Sequence, residues 1–378
     1  MRNATKLIQS TVALSGALLV AGGSLPAASA ASSDAAAGRD RTLRLAAISV
    51  VSEDDVWAVG STVKTSGTNP FALHWDGHHW RRSLLPGMGN RGYKRLAAVD
   101  AIASDDVWAV GTAPHSWAGA PLALHFDGTS WTRVSHRVFK GLAGSLTAVA
   151  DNGPTDVWLT GLTNDGDTLA VHWDGRRLTR VDTEDPPSGT RSFHGVCMPD
   201  SGGAVAVGSH LGSAGERPLA EQWDGTRWSI EETGLVGKHT GAFLASSCSA
   251  ADDLWAVGWA DVTGATALVA HRTAQGWSDV PSAEQPKVVL DGVVAVSPDD
   301  VWAVGYRSTH AGTKVLPWVE HGTGEDWTGS TVPYSYIGAK ITGVDADAPD
   351  DVWVTGNDGV DGVVFIDRWD GSSWTRMR

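Results

Sequence analysis

The chain has 378 residues, and its 43 Asp and Glu exceed its 29 Lys and Arg, which gives a formal net charge of −14 at pH 7. This acidic balance disfavours nucleic acid and anionic lipid as general partners. Beyond the N-terminal end, no apolar stretch is long enough to cross a bilayer, so we expect no membrane insertion.

The N-terminal end is typical of an export signal. Arg2 and Lys6 precede an apolar stretch, and Ala28-Ser29-Ala30 supplies the small residues that a signal peptidase needs. We therefore predict a secretory signal peptide at residues 1–30, a disordered leader at residues 31–43, and a secreted, extracellular protein.

The rest of the sequence is one pattern repeated seven times at intervals of 47 to 51 residues. A small-apolar run is followed by Asp-Asp-Val-Trp-Ala-Val-Gly, a variable stretch and Trp-Asp-Gly-x-x-Trp. Repetition at such a period indicates supersecondary units that stack on one another. The predicted repeats are 44–94, 95–144, 145–191, 192–241, 242–288, 289–339 and 340–378.

Each repeat has four strand signals, which we name A to D. Strand A is the small-apolar run, B ends in the repeated Gly, C ends at Trp-Asp-Gly, and D starts at the next Trp. Asp-Gly between alternating segments predicts a tight antiparallel hairpin. We therefore predict an all-β fold, a seven-bladed β-propeller with four antiparallel strands per blade. The third residue of strand A is always small, as crowding around a common axis requires: Ala47, Ala98, Ala148, Gly195, Ala245, Gly292 and Gly343.

These residues resemble the repeats of kelch-type propellers, including the galactose-oxidase-like ones. The resemblance covers about residues 44–378 and implies the same blade architecture. Here, strand B ends in one glycine instead of the usual two, and Trp or Phe replaces the usual tyrosine before the Asp of strand C. The Asp-Gly-x-x-Trp corner also resembles the Asp-box hairpin of sialidase-type propellers. The resemblance implies the architecture and no particular function.

Repeated polar residues are interpreted as scaffold. The acidic pairs, such as Asp54-Asp55 and Asp299-Asp300, lie at the A–B turn, where Asp stabilises turns by bonding nearby backbone N–H groups. The Asp of Trp-Asp-Gly, the preceding His and most of the 19 Trp receive the same interpretation, with the Trp packing between blades.

Function is expected in the segments that differ between repeats. The B–C and D–A loops vary in every repeat and lie together on one end of the propeller, which we call the variable face. The A–B and C–D turns form the opposite end, the repeat face. Binding and catalytic residues concentrate in loops that a rigid scaffold positions and whose sequence the fold does not constrain.

Charge singles out the first two D–A loops, because residues 81–95 and 133–145 hold eight Lys and Arg and no acid. Solvated surface charge explains this pattern; a basic rim suited to an anionic ligand is the alternative that we test. Aromatic residues near these cations could stack on a sugar ring or a peptide side chain. The predicted ligand-binding residues are Arg91, Tyr93, Lys94, Arg95, Trp117, Arg137 and Lys140.

Established catalytic motifs are missing from the sequence. Histidine is the usual general acid or base near neutral pH, so the candidates for an enzyme are loop histidines that break the repeat. They are His115, His194, His210 and His310. Asn164-Asp165-Gly166-Asp167 has oxygen ligands suited to calcium, but a plain turn is the simpler interpretation. We predict no cofactor and no metal site.

Two functions of different class remain open. The first is a non-catalytic, monomeric binding propeller that recognises an extracellular glycan, a peptide or a small anionic ligand through the variable face. The second is a secreted lyase or hydrolase that uses histidines and acids of the same face. The missing motifs favour the first.

Two predictions concern the joints between blades. The repeats are in phase with whole blades, so blade 1 should pack directly on blade 7 without a strand swapped from the N-terminus. Cys197 and Cys248 lie on the A strands of adjacent blades at positions of opposite parity. The two cysteines therefore point to opposite faces of their strands, so their side chains could meet in the gap between the blades. The same positions also allow both side chains to point away from that gap. We predict a disulfide, with two buried free thiols as the alternative.

Overall fold

The computed structural model describes residues 10–11, 42–64, 67–88, 92–114, 119–134, 137–184, 188–199, 203–235, 240–261, 265–283, 287–309, 314–324, 326–330, 332, 337–358 and 362–377. All regular elements within these ranges are β-strands. The described ranges contain no helix that could cross a membrane. The predicted signal peptide, apart from Ser10 and Thr11, and residues 31–41 of the predicted leader lie outside them.

Seven sheets form the seven blades, and each contains the four antiparallel strands of one repeat, which confirms the predicted fold. The A strands are β2 Thr42–Ser52, β6 Arg95–Ala103, β10 Gly144–Asp151, β14 Thr190–Cys197, β18 Thr240–Ala250, β22 Val288–Ser297 and β26 Lys340–Ala348. The B strands are β3 Asp55–Lys64, β7 Asp106–Ala113, β11 Val157–Thr163, β15 Ala204–Gly212, β19 Asp253–Asp261, β23 Asp300–Ser308 and β27 Asp351–Asn357.

The C and D strands complete each blade. The C strands are β4 Gly67–Trp75, β8 Ala120–Phe126, β12 Thr168–Trp173, β16 Gly215–Trp223, β20 Ala265–Thr273, β24 Val315–Thr323 and β28 Val364–Trp369. The D strands are β5 Trp80–Ser83, β9 Trp131–Arg133, β13 Leu178–Val181, β17 Trp228–Ile230, β21 Gly276–Asp279, β25 Asp326–Ser330 and β29 Trp374–Arg376. A two-residue strand, β1 Ser10–Thr11, pairs with β18.

The seven A strands contact one another in a closed ring around the axis of the propeller. Blade 7 closes directly on blade 1: the Leu45 N–H donates to Asn357 Oδ1 at 2.7 Å, and Asn357 Nδ2 donates to the Leu45 carbonyl at 2.8 Å. Among the described residues, the sheet of blade 7 contains strands of residues 340–376 alone. The closure is therefore the predicted one between whole blades.

Small third residues of strand A allow neighbouring blades to approach. A Cβ on Gly343 of blade 7 would lie 3.1 Å from the Ala47 Cα of blade 1, and a Cβ on Gly195 would lie 2.8 Å from the Ser246 nitrogen of blade 5. The crowding inferred from the sequence is thus present between the innermost strands.

Every A strand contains a β-bulge immediately before this small residue. The extra residue has no partner in the register with strand B. We call these seven positions the bulge ring: Ala46, Ala97, Thr147, His194, Leu244, Asp291 and Thr342.

The bulge explains why strand B ends in glycine. It brings an A-strand carbonyl so close that a Cβ on Gly60 would lie 2.0 Å from the Arg44 oxygen, and a Cβ on Gly258 2.0 Å from the Ala242 oxygen. No side chain fits at such distances. The repeated Gly is therefore a steric requirement of the bulge.

The repeated histidines, aspartates and tryptophans form structural clusters near the repeat face. In blade 6, His321 Nε2 hydrogen-bonds to Asp300 Oδ1 at 2.7 Å, and its ring stacks on Trp302 at 4.1 Å between centroids. Blades 1, 2, 3 and 5 repeat this arrangement, and Arg368 replaces the histidine in blade 7. The second Asp of each acidic pair thus binds a side chain of strand C.

The C–D corners are built on the Asp of Trp-Asp-Gly. Asp76 Oδ1 accepts the N–H groups of His78 and His79 at 3.1 and 2.8 Å, and Asp224 does the same with Thr226 and Arg227. The Thr226 hydroxyl, which donates to Asp224 at 2.7 Å, and then the backbone N–H bonds lower the pKa of Asp224 to about 2. The backbone N–H bonds also lower the pKa of Asp76. The scaffold interpretation of these aspartates agrees with this geometry.

The predicted disulfide is present. The sulfurs of Cys197 and Cys248 lie 1.97 Å apart, and the two Cα atoms are 5.8 Å apart. Both residues are buried between blades 4 and 5.

Candidate functional site at the mouth of the central channel

The variable-face end of the A strands forms the mouth of the central channel. Two positions before each bulge residue, one A-strand side chain per blade occupies an equivalent register position, as Arg44 opposite Ser61 and Arg95 opposite Thr112. We call these seven positions the mouth ring: Arg44, Arg95, Ser145, Ser192, Ala242, Val289 and Lys340.

The mouth ring and the bulge ring are divided into three chemical zones. Blades 7, 1 and 2 contribute the cations Lys340, Arg44 and Arg95 to the mouth ring. Blades 3 and 4 contribute the hydroxyl groups of Ser145 and Ser192 and the imidazole of His194. Blades 5 and 6 contribute the apolar cluster of Ala242, Leu244 and Val289, against which Trp259 and Tyr306 pack.

A titratable cluster lies where the cationic and apolar zones meet. The Lys340 ammonium is 3.5 Å from the centroid of the Tyr306 ring, and both groups interact with the buried carboxyl of Asp291. Burial raises the pKa of Asp291 to about 7, against the opposing effect of Lys340. Burial also raises the pKa of Tyr306 to about 12, with a further contribution from Asp291. Desolvation lowers the pKa of Lys340, although Asp291 opposes that shift.

A second titratable group occupies the bulge of blade 4. His194 is 6% exposed, its Nε2 lies 3.0 Å from Ser192 Oγ, and its buried Nδ1 has no hydrogen-bond partner among the described residues. Burial lowers the pKa of His194 to about 4. The imidazole is therefore neutral at physiological pH, and it occupies the position equivalent to that of Asp291 in blade 6.

Arg95 is the one predicted ligand-binding residue that the structure places in the mouth ring. Its side chain reaches solvent, but the protein around it partly desolvates the guanidinium and lowers its pKa. Its neighbour in sequence, Lys94, is 1% exposed, and its ammonium donates to Asn69 Oδ1 at 3.0 Å. The ammonium of Lys94 thus joins the D–A loop to strand C of blade 1, while Tyr93 is 75% exposed on the same loop.

Two other predicted ligand-binding residues that the structure describes, Arg137 and Lys140, are not in the mouth ring. Arg137 and Lys140 are exposed on a turn after strand D of blade 2, where the Lys140 N–H donates to the Arg137 carbonyl at 3.2 Å. Arg137 lines a cleft on the outer wall, between blades 2 and 3. Arg91 and Trp117 lie outside the described residues, so their role in binding stays a prediction.

Two of the four candidate catalytic histidines, His194 and His210, lie among the described residues. His210 Nε2 hydrogen-bonds to the Ser188 carbonyl at 2.6 Å, so that it fixes a loop of blade 4. His194 lies in the bulge ring, and His115 and His310 lie outside the described residues. In the described part of the chain, no group of three His, Cys, Asp or Glu side chains could hold a metal ion.

Sequence reasoning missed Arg44, Lys340 and Asp291 as members of this site. The signal was available, because the positions directly before and three before the small third residue of strand A both change chemical class from repeat to repeat. This signal can be interpreted only when the bulge is known, and the period of the sequence repeat does not reveal the bulge.

No protein-family model and no curated protein sequence matches this chain. Solved structures do match it. YCF48 bound to a D1 peptide is 17% identical with a TM-score of 0.56, over 87% of this chain and 94% of that one. A PL25 ulvan lyase, bound to a GlcA-containing saccharide, is 10% identical with a TM-score of 0.59, over 90% and 96%.

The β-propeller domain of the Trilobed protease from Pyrococcus furiosus is 7% identical with a TM-score of 0.54, over 89% of this chain and 96% of that domain. Identities this low show a common propeller fold alone. They do not establish membership of the kelch-type family.

Proposed function

We propose that this protein is a secreted, monomeric binding propeller that recognises an acidic saccharide at the mouth of its central channel. The observation that carries the proposal is the zoning of the mouth and bulge rings. Cations, hydroxyl groups and an apolar patch with aromatic side chains surround one axis. An acidic sugar offers carboxylates, hydroxyl groups and apolar ring faces, so each zone has a matching group on the ligand.

The physical balance favours binding without catalysis. Arg44 and Arg95 come from consecutive blades, and guanidinium groups bind carboxylates in a two-point geometry that an ammonium cannot match. Rigid strands hold the backbone of both residues, so the entropy lost by the protein on binding is confined to the side chains. Solved propellers of the same fold bind a peptide or act on a saccharide, which keeps acidic peptides as an alternative class of ligand.

The test is calorimetric titration of a tetragalacturonate, with a neutral tetrasaccharide and a tetraglutamate peptide as comparators. The double substitution Arg44→Gln and Arg95→Gln should weaken tetragalacturonate binding at least tenfold. Arg81→Gln with Arg227→Gln is the matched control, because these two arginines are exposed at C–D corners of the repeat face. Equal binding by both double variants would refute the proposal, and selective binding of the peptide would reassign the ligand.

A lyase or hydrolase is the second candidate, and Asp291 is the observation that favours it. A carboxyl with a pKa of about 7 is half-protonated near neutral pH, as a general acid or base should be, and Tyr306 and Lys340 lie beside it. Product analysis after long incubation with the same tetrasaccharides decides between the two. Cleavage by the wild type that disappears in Asp291→Asn would establish the enzyme.

A further inference from the structure

The outer wall between blades 2 and 3 departs from the repeat at several positions together. In six blades strand D carries a tryptophan, and in blade 3 this residue is Leu178. At the joint of blades 3 and 4, for example, Trp228 packs edge-on against Trp158 with centroids 4.9 Å apart. In blade 3, Leu178 instead packs beside Phe139, which comes from the turn after strand D of blade 2.

A cleft lies on the surface beside Leu178. Its volume is about 640 Å³. It is lined by Arg137, Val138, Trp173, Arg176, Arg177, Leu178, Thr179 and Arg180. Six of these residues belong to the C–D hairpin of blade 3, and the first two belong to the turn of blade 2.

Four arginines and no acid line this cleft, in a chain whose net charge is −14. The adjacent carboxylate of Asp174 accepts the N–H groups of Arg176 and Arg177 at 2.9 Å each, as in the other C–D corners. It lies 3.7 Å from the exposed Arg177 guanidinium, at a distance where a surface ion pair contributes little.

Arg180 and its counterpart in blade 7, Arg376, have different partners on the neighbouring C strand. Arg376 is opposite Asp367 in the register and forms an ion pair with it, whereas Arg180 is opposite Val171. The blade 3 arginine therefore lacks the cross-strand carboxylate that holds the blade 7 arginine. Like charges gathered in one cleft repel each other, and an anion bound among them would remove that repulsion.

We propose that this outer-wall cleft is a second ligand site, which binds a tetrahedral oxyanion, sulfate or phosphate, attached to a saccharide. Guanidinium groups donate paired hydrogen bonds to such oxyanions. The cleft is large enough for the sugar unit that bears the group, and the half-buried Trp173 offers an apolar wall. The site is separate from the mouth ring, because strand D is the outermost strand and strand A the innermost.

The experiment measures binding of two fluorescein-labelled tetrasaccharides to the full chain, one with a sulfate and one with a phosphate on each sugar. The triple variant Arg176→Gln, Arg177→Gln, Arg180→Gln should weaken binding of at least one probe tenfold or more. Leu178→Trp, which restores the tryptophan of the repeat and fills the cleft without changing its charge, should weaken binding of the same probe to a similar extent. The probe affected identifies the oxyanion.

Arg227→Gln is the matched control, because Arg227 occupies in blade 4 the position of Arg177, with its own Asp224 at 3.9 Å. All of these proteins also carry Arg44→Gln and Arg95→Gln, because a charged tetrasaccharide is an acidic saccharide that the proposed mouth site would also bind. The binding that remains then reports the outer-wall cleft. Melting curves identify any variant that fails to fold. The proposal is overturned if, in this background, the folded triple variant binds as tightly as Arg227→Gln, or if neither probe binds the protein with the two mouth substitutions alone at about 1 mM.

Discussion

Cys197 and Val205 are opposite each other as Cα partners in the sheet of blade 4. In the other six blades the position of Val205 is a tryptophan that packs against the next blade. Blade 4 also lacks the partners of that tryptophan, since Gly203 and Gln222 stand where other blades have the aspartate and, in most of them, the histidine. The disulfide thus joins blades 4 and 5 at the joint where the aromatic cluster of the repeat is missing.

The first prediction follows from this substitution. Replacing both cysteines, as Cys197→Ala and Cys248→Ala, should lower the free energy of unfolding by about 3–4 kcal/mol, because the bond closes a long loop in the unfolded chain. Urea denaturation of the oxidised wild type and the double variant measures this difference. A difference below about 1 kcal/mol would mean that packing alone holds blades 4 and 5 together.

The second prediction concerns the strand B glycine. Gly258→Ala should destabilise the protein by about 3 kcal/mol or more, because the new Cβ would lie 2.0 Å from a backbone carbonyl that the bulge fixes. Gly87→Ala is the control, since a Cβ there would meet nothing within 4 Å, and its effect should stay within about 0.5 kcal/mol. Similar melting temperatures for the two variants would contradict the steric explanation of the repeated glycine.

The third prediction concerns Asp291 and pH. Its carboxyl has a pKa of about 7 in the folded protein and 3.8 as its ordinary value, so the folded state binds the proton more tightly. The stabilisation is complete below pH 3.8 and is lost as the pH rises through 7. Relative to Asp291→Asn, the wild type should lose on the order of 4 kcal/mol between pH 4 and pH 8. Denaturation at a series of pH values gives this slope, and parallel curves would show that the buried carboxyl does not titrate in this way.

The fourth prediction has the opposite sign and concerns His194. Its pKa falls from 6.5 to about 4 on folding, so its contribution to stability is complete above pH 6.5 and is lost as the pH falls through 4. Relative to His194→Gln, the wild type should lose on the order of 3 kcal/mol between pH 7 and pH 4. NMR titration of the imidazole provides an independent check, and a midpoint near 6.5 would refute the buried environment.

The fold was predictable from the sequence, because each repeat shows the alternation of strands and the residues of turns, and the number of repeats gives the number of blades. The small third residue of strand A, such as Ala47 or Gly343, correctly indicated crowding around an axis. The disulfide was also predictable, although parity alone left two arrangements open. These features depend on local patterns that recur at the same spacing.

The candidate site was less predictable, because it depends on register and on contacts between blades. Arg95 was identified from charge, but the same argument selected Lys94, whose ammonium is buried against Asn69. Side chains alternate in direction along a strand, and this alternation decides which of the two adjacent cations faces the channel. The composition of the loop does not reveal it. Asp291 and His194 share one ring only because of a bulge that shifts the register by one residue.

The bulge also has a consequence for protein engineering. Its seven residues are released from pairing with strand B, and nature already fills them with alanine, threonine, leucine, histidine and aspartate. The hydroxyls of Thr147 and Thr342 donate to carbonyls of the neighbouring blades and should be kept. A combinatorial library at the other five codons would vary the lining of one axis while the hydrogen-bonded frame stays constant. The propeller could then serve as a scaffold whose specificity is selected position by position.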